Sequence, residues 1–168
     1  MKGLPRSLSR GAPQLQAVRR QKVKLRSLAL VSSGASGNGF GVSVAGDFPA
    51  GNLLILGAAA YVQFTKLSAG TTATFTGSYA VGSTSTVDAT LTGTDANIIA
   101  AATLSAATAG VSPVTRGVGS TMTMLDNTDG SLELNLNLEL DDASVSADTQ
   151  NLTATGYIDL VYCVLGDD

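Results

Sequence analysis

SLELNLNLELDD, residues 131–142, places leucine at 132, 134, 136, 138 and 140 and sets Glu133, Asn135, Asn137 and Glu139 between them. Successive side chains of an extended strand point to opposite faces, so this stretch predicts a strand with one apolar and one polar side. A fully buried leucine stabilises by roughly 1.5–3 kcal/mol, and a slip of one residue would turn all five outward. The leucine row is therefore core. The polar row is either the solvated side of a sheet or a site for a metal or for acid–base work.

The chemistry available to the chain favours the solvated side. Histidine is absent from all 168 residues. That removes Ser–His and Cys–His nucleophile systems and most transition-metal sites. Glu133 and Glu139 stand six residues apart on one strand, roughly 20 Å, whereas paired glycosidase carboxylates stand ~5–9.5 Å apart. Calcium is the more reasonable ion, because Asp126, Asn127, Asp129, Asp141 and Asp142 offer oxygen ligands. Aligned on Gly130, however, a calcium loop needs an acid where Leu125 stands and a bidentate Glu where Leu136 stands. The glycine-rich run at 33–41 lacks the Gly-Lys-Ser/Thr of a phosphate loop and precedes a strand pattern. No cofactor, metal site or catalytic residue is expected, and the chain is read as a non-enzyme. Cys163, the only cysteine, sits in an apolar run and is read as a core residue without a base to activate it.

Strand patterns fill the rest of the body. Alternation predicts strands at 40–44, 53–57, 59–66, 72–79, 83–91, 120–125, 132–140 and 152–165. Asp129-Gly130 is the strongest hairpin signal, since glycine accepts the positive φ of a tight turn, and is expected to join 120–126 to 132–140. Residues 95–104 alone look helical, with Asp95 as a cap and Ile98, Ile99, Ala102 and Thr103 at helical spacing. About eight strands with short links predict an all-β, antiparallel β-sandwich, specifically a jelly roll. No segment is long and apolar enough to span a bilayer, and no secretory signal pattern is evident.

Charge divides the chain. Residues 1–27 carry Lys2, Arg6, Arg10, Arg19, Arg20, Lys22, Lys24 and Arg26 and no acid. Residues 28–168 keep only Lys66 and Arg116 against all thirteen acids, a formal −11. The expected organisation is a basic, extended N-terminal arm over 1–27, a Gly/Ser-rich joint over 28–39 and a sandwich body over 40–168. Those eight cations are the expected partner-binding residues. The alternation of Lys22, Val23, Lys24, Leu25 and Arg26 also fits a segment that adds to a sheet edge. No aromatic is interleaved with the arm's charges, so base stacking along it is not expected. Only 14% of residues are charged, a composition suited to packing against other chains.

The segments GDFPAGNLLILGA (46–58), DATLTGTD (88–95), VSPVTRG (111–117) and residues 126–142 resemble stretches of small virion structural proteins of tailed bacteriophages. The resemblance covers about residues 40–168 and excludes the arm. It implies a capsid decoration or cement protein that binds the major capsid protein, works in the virion and assembles as a homotrimer. It supplies no active-site residues. Two alternatives stand beside it: a small jelly-roll coat protein whose basic arm binds packaged genome, and a tail or fibre component.

Overall fold

The computed structural model describes residues 18–33, 39–66, 75–86, 90–108, 110–119, 122–141 and 151–166. Among them are nine strands: β1 Arg19–Ser33, β2 Gly39–Asp47, β3 Asn52–Lys66, β4 Gly77–Gly82, β5 Ile99–Leu104, β6 Thr115–Gly119, β7 Thr123–Leu125, β8 Glu133–Leu140 and β9 Asn151–Gly166. A single 3₁₀ turn, Gly93–Asp95, precedes β5. All pairings between these strands are antiparallel, in the order β5-β4-β8-β2-β1-β9-β3-β6, with β7 also on β3. The protein is an all-β sandwich. One sheet is β5-β4-β8-β2 and the other β1-β9-β3-β6/β7. They are joined where Val31–Ser33 pairs with residues 40–42.

The leucine row is core as predicted: Leu134, Leu136, Leu138 and Leu140 are fully buried, and Leu132 packs partly buried at the margin. Ile55, Val62, Phe64, Ile158 and Leu160 close the core from the facing sheet. Tyr79 of β4 spans the two layers. Its hydroxyl donates toward the carbonyls of Ala60 (3.3 Å) and Thr115 (3.1 Å), and its ring lies 5.8 Å from that of Phe64. Burial pushes the Tyr79 phenol up to about 12. The folded state therefore resists ionisation that an unfolded tyrosine undergoes near pH 10. This stabilisation is complete below pH 10 and fades as the pH rises toward 12. Tyr79→Phe is expected to cost about 1 kcal/mol at neutral pH and to flatten alkaline destabilisation, read by denaturation at pH 7 and 11. Gly117 permits the close approach here, since a Cβ would stand 2.8 Å from both the Tyr79 hydroxyl and Ile99.

Bulges keep the apolar residues inward along the two longest pairings. In β1 a register shift between Leu25 and Leu28, with Ser27 at φ 52°, moves the inward set from Val23 and Leu25 to Leu28 and Leu30. In β3 a shift between Ile55 and Gly57 moves it from Leu53 and Ile55 to Ala58, Ala60, Val62 and Phe64. The predicted strands 53–57 and 59–66 are thus one strand with a bulge.

Several expectations are corrected. Residues 99–104 are strand β5, not helix, because pairing with β4 buries Ile99 and Leu104 and satisfies the backbone. Residues 83–86 are not strand. The turn at Asp129-Gly130 exists, with Gly130 at φ 70°, but it joins no hairpin. Leu125 before it pairs with Leu53 of one sheet, whereas Leu134 after it pairs with Gly46 of the other. Buried Asn127 fixes this crossover: its amide donates to the carbonyls of Phe48 (3.3 Å) and Pro49 (2.9 Å) and accepts from the Leu132 N–H (2.7 Å). Residues 72–74, 87–89, 120 and 121 of the predicted strands lie outside the described residues.

The polar side of β8 also departs from expectation. Glu133 is exposed and Glu139 half-buried, but Asn135 and Asn137 are buried. The connection from β4 to β5 folds back over this side. The Asn137 side chain accepts from the Thr86 N–H (3.0 Å) and donates to the carbonyls of Thr84 (2.9 Å) and Asp95 (2.8 Å). One amide thereby holds both legs of the connection.

Candidate docking face

The outward side of the β1-β9-β3-β6/β7 sheet carries the candidate site, and strand register arranges it in rows. The first row is Met124, Leu54 and Cys163; the second is Gly57, Val161 and Arg20. The third is Val118, Ala59, Asp159 and Lys22, and the fourth is Arg116, Tyr61, Tyr157 and Lys24. The face therefore changes from apolar at the β7 end to aromatic and cationic farther along the strands. Four strands span about 14 Å and the four rows about 20 Å.

The upper rows form a chain of stacked charges and rings. The Lys22 ammonium sits 3.5 Å from the centroid of Tyr157, whose ring is 5.2 Å from Tyr61, and the Arg116 guanidinium lies 5.8 Å from the Tyr61 centroid. Such contacts orient cations over the electron-rich ring faces. Arg20 donates through Nε to Asp159 Oδ1 (2.9 Å) and through a second nitrogen to Oδ2. The hydrogen bond from Arg20 holds the Asp159 carboxyl below the usual carboxylate range, and Asp159 in turn raises Arg20. The stabilisation from Asp159 is present above its ordinary pKa and fades as the pH falls through the lowered one. Arg20→Ala is expected to raise the Asp159 pKa toward its ordinary value, measured by carboxyl NMR titration. A shallow depression of about 360 Å³, lined by Arg20, Gly57, Ala58, Ala59, Asp159 and Val161, lies mid-face.

Of the expected arm residues, Lys2, Arg6 and Arg10 lie outside the described residues. Arg19, Arg20, Lys22, Lys24 and Arg26 lie on β1, all exposed. The segment is therefore not a free arm up to residue 27: from Arg19 it is a sheet strand paired with β9. Leu28–Ser33 of the expected joint belongs to the same strand, and residues 34–38 lie outside the described residues. From Arg19 to Leu30 no described strand pairs with the other edge of β1. Local sequence does not point to Arg116, Tyr61 and Tyr157 as binding residues, because their proximity to the arm's charges exists only through pairing of residues 55 to 133 positions apart. Cys163 is half-exposed on this face, not core.

Apart from Asp159, the described acids lie off these rows. Asp47 and Glu133 face each other across β2 and β8, and Asp126 and Asp129 occupy the turn after β7. Asp126 accepts from the Thr128 N–H (3.1 Å) and hydroxyl, and Asp129 from the Ser131 N–H (3.0 Å) and hydroxyl. These bonds lower the Asp129 pKa. No group of three or more His, Cys, Asp or Glu able to hold a metal occurs among the described residues. No helix there is long and apolar enough to cross a membrane.

No protein-family model matches the chain, and no curated protein or solved structure is similar to it at a significant level.

Proposed function

We propose that this chain is a binding rather than a catalytic protein: a decoration or cement subunit of a tailed-phage head that docks on the major capsid protein and stabilises the shell. The resemblance of residues 40–168 to small virion structural proteins supports it. So does the strand order, which with β7 set aside reads 1-9-3-6 and 2-8-4-5 and which we take as a jelly roll. The observation that carries the reading is the open edge of β1, studded with Arg19, Lys24 and Arg26. An open edge can accept an added strand from a partner, and its cations select an acidic one while discouraging pairing with like edges. Repetition over a lattice then multiplies modest single contacts.

Co-sedimentation with undecorated shells tests this. The wild-type chain is expected to pellet with shells, and Arg19→Glu/Lys24→Glu/Arg26→Glu to lose at least tenfold in affinity. Absence of wild-type binding would refute the proposal. A genome-binding reading is favoured by one observation: strand pairing places Tyr61 and Tyr157 among cations, the aromatic component that the arm's own sequence lacks. Tight, strongly salt-sensitive binding of a fluorescent oligonucleotide would support that reading instead.

A further inference from the structure

We infer that the open edge of β1 is built for one kind of partner segment: an extended strand of about seven residues in which acidic and apolar side chains alternate. The inference rests on the reading of β1 as the docking edge and specifies what that edge takes. Its basis is a difference between the two margins of the sandwich. At one margin the layers are sealed: β5 and β6 approach so closely that a Cβ on Gly119 would overlap the Ile98 carbonyl oxygen. At the other margin β1 and β2 pair only where Val31–Ser33 meets residues 40–42. Beyond that pairing both strands run as edges. No described strand pairs on this side with Arg19–Leu30 of β1 or with residues 43–47 of β2.

The chemistry on the two sides of the edge sets the pattern. A side chain of an added strand lies about 4.5–5.5 Å from its same-face neighbour on the strand beside it. On the outward side the neighbours are the exposed Lys22 and Lys24, with Arg20 already held by Asp159. Lys24 has no hydrogen-bond or ion-pair partner among the described residues. Carboxylates at alternate positions meet these two lysines. On the inward side the neighbours are Val23 and Leu25. Val23 is only half-buried and faces β2 across the margin, where a Cβ on Gly46 would stand 3.9 Å from its Cγ1. Ala45 is likewise only partly buried. Apolar side chains between the carboxylates therefore extend the core over Val23 and Ala45. Register sets the length. Arg19–Leu25 pairs with β9 without interruption over seven positions, and the bulge that follows, with Ser27 at φ 52°, breaks the regular edge. A basic segment, a second β1 included, would oppose the lysines with like charge. A uniformly acidic one would press carboxylates onto Val23.

Fluorescein-labelled peptides of about seven residues, titrated with the full chain and read by anisotropy, test the pattern. A peptide alternating glutamate with valine should bind at least tenfold tighter than one of the same composition with its glutamates grouped. A peptide alternating lysine with valine should not bind. Only alternate amides of an added strand face β1, so N-methylation of one alternate set should weaken binding at least tenfold and of the other set should leave it unchanged. Lys22→Glu/Lys24→Glu should transfer the preference to the lysine–valine peptide. Should circular dichroism show that variant unfolded, Lys24→Glu alone should weaken the glutamate–valine peptide at least threefold. Equal binding of the grouped peptide, equal effects of the two methylation sets, or displacement by a thymidine oligonucleotide as readily as by unlabelled peptide would each overturn the inference. Failure of the alternating peptide to bind would also overturn it, and wild-type binding to shells would then leave the proposed function standing. The expected peptide pattern from a chain that does not bind shells would refute the proposed function alone.

Discussion

Asn137→Ala is expected to destabilise the fold by about 3 kcal/mol, although asparagine sits on what is nominally the outer side of its strand. The side chain is fully buried and makes three hydrogen bonds to the backbone of the connection above it. Removing it leaves the Thr86 N–H and the carbonyls of Thr84 and Asp95 without that partner. A buried polar group left unpaired costs about 1–3 kcal/mol, and partial access of water reduces the sum. Chemical denaturation measures the loss. Hydrogen exchange should also show residues 83–86 and 93–97 losing protection more than the sheet does. Asn135→Ala is the contrast. Its amide makes one 3.2 Å bond to the Glu133 carbonyl, and its Oδ1 has no hydrogen-bond partner among the described residues. Its replacement should cost less than about 1 kcal/mol.

Leu138→Ala is expected to cost about 4 kcal/mol, toward the upper end for a buried leucine. The expense of such a cavity depends on whether neighbours can collapse into it. Leu138 pairs on one side with Gly41, which has no side chain to move. On the other side it pairs with Tyr79, whose hydroxyl is anchored to two carbonyls across the core. Leu132→Ala, at the half-buried margin, should cost less than half as much. Denaturant midpoints for the two variants, at unchanged slope, provide the comparison.

The all-β character was legible because it rests on a local signal. The period-two leucines of β8 and the alternation in β3 and β9 do not depend on where partners lie. What the alternation could not disclose is which chain segment covers the second side of a strand. Asn135 and Asn137 read as solvated because polar residues on a two-faced strand usually are. Asn137 is covered by a connection 42–53 residues earlier in the chain. The hairpin expectation at Asp129-Gly130 failed for a related reason: turn chemistry specifies reversal of the chain, but not whether the strands that leave it pair together or join different sheets. Residues 99–104 looked helical because alanine and threonine carry little pattern, and pairing with β4 decided the matter. In the candidate site, the five cations on β1 were legible as a charged run. Their neighbours Tyr157, Tyr61 and Arg116 were not, since no local spacing relates Lys22 to residue 157.

The pairing of Arg19–Val31 with residues 151–162 has a consequence for biosynthesis. Of the described strands β1 emerges earliest from the ribosome, yet its principal partner, β9, emerges latest. One of the two sheets therefore cannot be assembled until β9 has been made, and long-range β pairing of this kind is slow. During that interval the leucines of β8 lack their opposing layer and are open to association with other nascent chains. The cations of β1 repel one another between such chains, so the strand that later completes the sheet also helps keep its unfinished precursors apart.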